Sequence, residues 1–310
     1  MFISIVIPTF NRKPILEKCL VALENQVLDS TIDGYEVIVV DDGSTDGTPS
    51  WIRSQQARFP HVRLYQQEHG GPAQGRNRGV SHAIGEVIVF IDSDLVVTKS
   101  FLKSHVKILR RSWKSEGSRL CFTYGAVINT ANFENPTSEQ HKIQDLSWAY
   151  FATGNVAIDK MVLERSGLFD ESFRLYGWED LELGERLRQM GVKLVKCPKA
   201  VGYHWHPSLK LEQIPDLIRV ERERAKMGLV FYRKHPTRRV RFIIQFTWLH
   251  FFLWELLTLK GILNERSLRP LLGFLIRHGY SGLAMEVLRI PLNRIGVREL
   301  FRQASINSQF

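Results

Sequence analysis

The chain has 310 residues, 44% hydrophobic and 24% charged, which excludes a disordered, collagen-like or coiled-coil protein and leaves room for a sizeable core. Cys19, Cys121 and Cys197 are scattered and lack CxxC spacing, which excludes a disulfide framework or cysteine zinc site and fits a reducing compartment. The net charge of +10 is uneven: residues 207–310 carry 18 Lys+Arg against 8 Asp+Glu, while residues 1–206 carry 24 against 24. The surplus therefore concerns what the C-terminal third meets. With no recognised nucleic-acid module to go with it, it does not predict a nucleic-acid partner.

Met1-Phe2-Ile3-Ser4-Ile5-Val6-Ile7-Pro8 lacks a basic flank, and its apolar run is too short for a signal peptide. It predicts a strand over 3–7 and a cytoplasmic domain. Ile15, Leu16, Cys19, Leu20 and Leu23 then fall at helical spacing. A second strand is predicted over 35–40, apolar apart from Glu36 and ending in Asp41-Asp42. Turn residues 43–48 follow, with Asp46 or Thr48 available as a helix cap. Further elements are a strand at 62–65, a break at Gly70-Gly71-Pro72, a helix through Arg76 and Val80, and a strand at 86–91. Four strand–helix alternations predict a parallel, doubly wound half-sheet that binds ligands at its strands' C-terminal ends. No GxGxxG follows the first strand and no GxxxxGK[ST] occurs, which argues against a nicotinamide oxidoreductase and a P-loop NTPase.

The alternation then fades. A helix over 101–113, a strand over 121–127, an irregular polar region at 129–147, a strand over 155–158 and a helix over 160–166 are predicted. A helix from Glu179 to Met190 and strands at 192–196 and 200–204 lead to His204-Trp205-His206. Beyond it, 209–234 reads as a charged helix broken or kinked at Pro215. Arg238-Arg239-Val240-Arg241 precedes an apolar, aromatic run over 242–259, which Gln245, His250 and Glu255 make a poor membrane span. The stretch 238–263 is better read as a helix lying on an anionic membrane surface, or as a core or homodimer helix.

The chemistry concentrates at strand ends. Val87–Ile91 runs into Asp92-Ser93-Asp94, whose carboxylates at i, i+2 can face one ligand. Unpaired buried charge is expensive, so the choice makes sense if a hard cation and a phosphate share it. His204 or His206 could complete the shell, with His204 preferred, and an imidazole ligand favours Mn²⁺ over Mg²⁺. Asp42 can accept from a base imide or ribose hydroxyl, unless it only caps a turn. Arg76 is placed for a base or diphosphate, or for a surface ion pair. Glu179-Asp180 can supply a general base or merely complement a helix dipole. Trp178 is a sugar platform or a core residue.

Five motifs occur in order: Ser4-Ile5-Val6-Ile7-Pro8-Thr9-Phe10-Asn11-Arg12, Asp41-Asp42-Gly43-Ser44-Thr45-Asp46, Gly75-Arg76-Asn77-Arg78-Gly79, Asp92-Ser93-Asp94 and Trp178-Glu179-Asp180. Together they resemble the family-2 inverting glycosyltransferases of the GT-A fold, over roughly residues 2–206. The resemblance implies an α/β catalytic domain over 1–206, a doubly wound mixed sheet with a Rossmann-like nucleotide-binding half. Residues 207–310 form a helical C-terminal extension outside it. It further implies donor contacts from Pro8, Thr9, Asn11, Asp42, Arg76, Asp92 and Asp94, and Mn²⁺ or Mg²⁺ on Asp94, Asp92 and His204. Asp180 would be the base, Glu179 would orient the acceptor, and Trp178, Gly154 and Asn155 would line the acceptor site. The implied reaction moves a sugar from a nucleotide-diphosphate donor, UDP-sugar favoured, to a hydroxyl. The acceptor would be a saccharide or lipid-linked saccharide in cell-surface polysaccharide synthesis, at the inner face of the membrane. A non-catalytic nucleotide-sugar-binding or scaffolding subunit is the competing expectation; the presence of both acidic pairs argues against it.

Overall fold

A computed structural model describes residues 1–139 and 150–307, so the 140–147 part of the expected irregular region lies outside the described residues. The chain divides into two units: Met1–Arg174 with Glu179–His206, and Leu175–Trp178 with Pro207–Phe310.

The first unit opens with β1 (Phe2–Thr9), α1 (Lys13–Glu24), β2 (Gly34–Asp41), α2 (Thr48–Ser54), β3 (Val62–Gln66), α3 (Pro72–His82) and β4 (Val87–Ile91). It continues with β5 (Leu95–Val97), α4 (Phe101–Glu116), β6 (Cys121–Thr130), β7 (Asn155–Asp159), α5 (Lys160–Arg165), α6 (Glu179–Gln189) and β8 (Lys193–Trp205). The strands form one sheet in the order β3-β2-β1-β4-β7-β6-β8-β5. The first four are mutually parallel, β7 is antiparallel to both β4 and β6, and β6 runs parallel to β8. Winding proceeds outward from β1 to β3, then α3 returns the chain to the other side of β1. The C-terminal ends of β1 and β4 thus flank the switch point, where an open α/β sheet leaves a crevice.

Apolar alternation splits the core between the two faces of the sheet. Ile3, Ile5, Ile7, Val87 and Val89 pack with Leu16, Leu20 and Leu109, whereas Val6, Ile38, Ile88 and Phe90 pack with Val80, Leu163 and Leu183. At the polar interruption, Glu36 Oε1 accepts from Ser4 Oγ at 2.6 Å and from the Ile84 amide at 2.9 Å, while Oε2 lies 3.3 Å from Arg63 Nε. Two strands expected at 192–196 and 200–204 are one, β8, whose register against β6 shifts between Gly125 and Ala126. The three-residue β5 carries too little periodicity to be read from sequence, yet it pairs Leu95 with His204.

The second unit contains α7 (Ile214–Lys234), α8 (Arg238–Ile243), α9 (Trp248–Leu257), α10 (Arg269–Arg277) and α11 (Ser281–Asn307). Its core includes Leu209, Ile214, Leu272, Ala284 and Leu288. Pro215 does not break a helix as expected. It sits in the first turn of α7, where no intrahelical partner for its nitrogen is required. The apolar 242–259 run is not one helix either: Gln245 has φ 62° between α8 and α9, and Thr247 caps α9 by accepting from the His250 amide.

α3 approaches β1 closely because Gly79 has no side chain; a Cβ there would lie 2.3 Å from Val6 Cγ1. Val6 is β-branched and fully buried, so it cannot swing away. Gly79→Ala should cost about 1–3 kcal/mol by overpacking, lowering the melting temperature by roughly 3–10 °C in thermal denaturation. An unchanged melting temperature would show that α3 can lift from the sheet.

His105 on α4 is fully buried between Thr123 Oγ1 (2.8 Å from Nδ1) and Asn155 Oδ1 (2.9 Å from Nε2). Burial pushes its pKa down to about 4, against a weaker upward pull from Asn155. The unfolded chain takes up a proton at this position from about pH 6.5 downward, and the folded chain does not. Stability contributed by neutral His105 is therefore complete above that range and lost as pH falls towards 4, by up to about 3 kcal/mol. Denaturant titrations from neutral pH down to pH 4 should show this loss, and the His105→Gln variant should show a shallower one.

Candidate functional site

Asp92 and Asp94 emerge where β4 ends, and the tight turn between β4 and β5 closes with Leu95 N–H donating to the Asp92 carbonyl at 3.1 Å. Because β5 pairs antiparallel with β8, the chain's residue 204 arrives beside residue 94. His204 Nε2 lies 2.8 Å from Asp94 Oδ1, and Arg12 Nη1 lies 3.4 Å from Asp94 Oδ2. Burial alone would raise the Asp94 carboxyl, but the His204 hydrogen bond and charge, with Arg12, hold it below the usual carboxylate range. His204 is the mirror case: burial lowers its pKa, and the bond and charge from Asp94 outweigh that and raise it.

Ligand atoms of Asp92, Asp94 and His204 all lie within 4.8 Å of one another. Two carboxylates and one imidazole form a donor set that suits a divalent ion of the Mn²⁺ or Mg²⁺ class. His206 is not in this cluster. Its ring packs against His204 with centroids 4.1 Å apart, and burial, then the His204 charge, push it down to about 4.

Arg76 reaches the same crevice from α3. It is buried, donating from Nη1 to Glu179 Oε1 at 2.8 Å and from Nη2 to Asp92 Oδ1 at 3.3 Å. The surface ion pair considered from sequence is thus a buried one, joining β4 to the start of α6. Asp180, next to Glu179, accepts from the Leu181 amide at 2.8 Å. Burial and then the neighbouring Glu179 charge push its pKa up to about 7, with Arg76 pulling the other way. Among the described residues, buried Thr9 Oγ1, Asp41 Oδ1, Arg76 Nε and Glu179 Oε2 carry no hydrogen-bond partner. Such atoms are costly unless something else meets them.

Other expected residues hold loops. Asn11, at φ 52°, accepts at Oδ1 from the amides of Thr45 (2.8 Å) and Asp46 (3.2 Å) and donates its own amide to Ser44. Asp42 accepts from the Gly70 and Gly71 amides at 2.8 and 2.9 Å and from Gln67 Nε2, with His69 Nδ1 2.9 Å away. Its carboxylate therefore clamps the loop before α3. Pro8 faces Gly75, where a Cβ would come within 3.3 Å of it. Gly154 lies against Asp92: a Cβ there would be 3.2 Å from Oδ2.

Two expected acceptor residues are committed elsewhere. Asn155 is 0% exposed; Nδ2 donates to the Ala126 and Ala200 carbonyls at 3.0 Å each, and Oδ1 faces His105. It joins β6, β7, β8 and α4, so its amide is not available to an acceptor. Trp178 is buried in the second unit. Its indole N–H donates to the Arg224 carbonyl at 2.7 Å, and the Arg224 guanidinium covers its ring at 4.6 Å. It is a packed residue and not an open sugar platform, held at a strained φ of 78° directly before Glu179. Sequence reasoning assigned no role to Arg12, although it closes the first motif, because a partner 82 residues away in sequence leaves no local signal.

The sequence profile described as glycosyl transferase family 2 matches residues 4–166. The chain is 28% identical over 258 residues to the uncharacterised glycosyltransferase YfnE of Bacillus subtilis, covering 66% of this chain and 65% of that one. It therefore spans just under two thirds of that relative's length. It is 30% identical over 227 residues to a dolichyl N-acetyl-α-D-glucosaminyl phosphate 3-β-D-2,3-diacetamido-2,3-dideoxy-β-D-glucuronosyltransferase of Methanococcus voltae, covering 67% and 68%. The mannosyltransferase PcManGT from Pyrobaculum calidifontis, solved in complex with GDP-Man and Mn²⁺, superposes with a TM-score of 0.61 over 96% of this chain and 85% of its own, at 21% identity. That likeness concerns the fold, a GT-A arrangement of the mixed sheet. On the extent of the profile match and the identity to these relatives, the chain belongs to glycosyltransferase family 2.

Proposed function

We propose that the chain transfers a glycosyl group from a nucleoside-diphosphate sugar to an acceptor hydroxyl, with inversion at the anomeric carbon and Asp180 as the base. The observation that carries this reading is that Arg76 bridges the Glu179-Asp180 pair to the cluster of Asp92, Asp94 and His204. A carboxylate with its pKa raised to about 7 can hold a proton taken from a hydroxyl better than an ordinary carboxylate does. Arg76 fixes Glu179 and Asp92 in one geometry, so the acceptor side and the donor side keep their spacing. Glu179 Oε2, free of other partners among the described residues, is left to orient the acceptor.

Asp94, Asp92 and His204 would hold the divalent ion, which when bound supplies positive charge for the leaving diphosphate. Thr9 lines the donor side directly, while Asn11 and Asp42 shape it by fixing loops 44–46 and 70–71. UDP-sugars are the first donors to test. The acceptor is a saccharide or lipid-linked saccharide met at the inner face of the cell membrane; the dolichyl phosphate-linked sugar in the name of the Methanococcus relative supports the lipid-linked form.

Asp180→Asn should lower turnover by roughly 10²–10⁴-fold while leaving donor-dependent thermal stabilisation intact; full turnover in this variant would remove Asp180 from the base role. A base must be deprotonated to act. Wild-type activity should therefore fall as pH drops below about 7, approaching tenfold per pH unit, and a flat profile down to pH 5 would contradict the assignment. Mn²⁺ with UDP or GDP should raise the melting temperature, EDTA should reverse the effect, and Asp94→Asn should abolish it. A nucleotide shift insensitive to EDTA would point to a metal-independent donor site.

A further inference from the structure

α9 has ten residues, none of them buried. Leu249, Phe252, Leu253 and Leu256 recur at i, i+3, i+4 and i+7 and so form one face. That face is open, with Leu249 67% and Leu256 71% exposed. Leu259 and Ile262 continue the exposure past the helix end. A single exposed leucine needs no explanation, but a row of them does.

The helix is fixed from its other side. Glu255, the acidic residue of α9, is held by Arg294 at 3.0 Å and also by Arg298, both on α11. Trp254 donates its indole N–H to Gln245 Oε1 at 2.6 Å. The polar groups of α9 are thus tied inward, and the helix cannot roll its apolar face away from solvent without breaking them.

The fringe of this face is cationic. Between Arg238 and Tyr280 the chain carries seven Lys+Arg and two acids, Glu255 and Glu265, and Glu255 is already neutralised by its arginines. Arg238, Arg239, Arg241, Lys260, Arg266 and Arg269 are exposed. We propose that α9 and its flanks lie in the plane of an anionic lipid bilayer, apolar face at the acyl boundary and arginines on the headgroup phosphates.

Two alternatives fare worse. By length and composition alone Arg238–Leu257 passes as a membrane span. Its backbone nevertheless breaks at Gln245, and the ten residues of α9 reach only about 15 Å, half of a hydrocarbon core of roughly 30 Å. A second copy seated on the same face in a two-fold dimer would bring the same arginines against each other. The proposal uses no residue of the first unit and stands independently of the glycosyl reading.

The test is co-sedimentation of the full chain with phosphatidylcholine vesicles, with and without phosphatidylglycerol, at low and high salt. Binding should require the anionic lipid and weaken with salt. Leu249→Glu/Leu256→Glu should lower the bound fraction by tenfold or more, and Arg238→Gln/Arg239→Gln/Arg241→Gln should remove the lipid-charge dependence. Circular dichroism and an unchanged melting temperature would show both variants folded. Equal binding by wild type and the leucine variant, or no binding by wild type, would overturn the proposal. Light scattering that finds a dimer lost in the leucine variant would instead assign the face to a second copy.

Discussion

The fork of Arg76 is the interaction on which the site depends. Its guanidinium is buried and reaches Glu179 and Asp92 from a single helix. A buried cation with one partner removed would cost several kcal/mol, because the charge left over has no solvent to meet it. The dependence is strongest between Arg76 and Glu179, both buried, while the half-buried Asp92 also meets solvent. The planar, two-pronged geometry explains why lysine would not serve, since a single ammonium could not face two acids on different elements at fixed spacing. The close seat of α3 on β1 at Gly79 is what brings that fork into range.

The same fork organises the electrostatics around Asp180. Burial disfavours the charged form of Asp180, and repulsion from the adjacent Glu179 carboxylate adds to the effect, so Asp180 resists ionisation. Arg76 is bonded to Glu179, and its charge pulls Asp180 the other way without cancelling the rise. Glu179 and Asp180 thus have unlike surroundings, one bonded to the guanidinium and the other to the Leu181 amide.

Much of this was legible before the structure because strand ends are positions with rules. Val87–Ile91 running into Asp92 and Asp94, and β1 running into Thr9, are such ends, and the parallel register sets the two strands side by side. What escaped was long-range. Asn155 reads as the first residue of a strand, and only three-dimensional pairing reveals that its amide faces Ala126, Ala200 and His105. Trp178 sits inside a recognisable motif, but its ring is claimed by Arg224, forty-six residues on. In the second unit, composition signalled apolar and basic character. It could not show that Pro215 starts a helix, or that the aromatic run breaks at Gln245, because both depend on backbone torsions that no periodicity encodes.

The pairing of β5 with β8 has a consequence for assembly. Asp92 and Asp94 are made early in the chain, and His204 belongs to the last strand of the first unit. During synthesis the acidic pair must wait through more than a hundred residues before its imidazole arrives. Until β8 docks, the two carboxylates lack the imidazole, and Asp94 lacks the partner that offsets its burial. Docking of β8 and completion of the Asp92, Asp94 and His204 cluster are then a single event, so any ligand that prefers the finished cluster also favours the closed sheet.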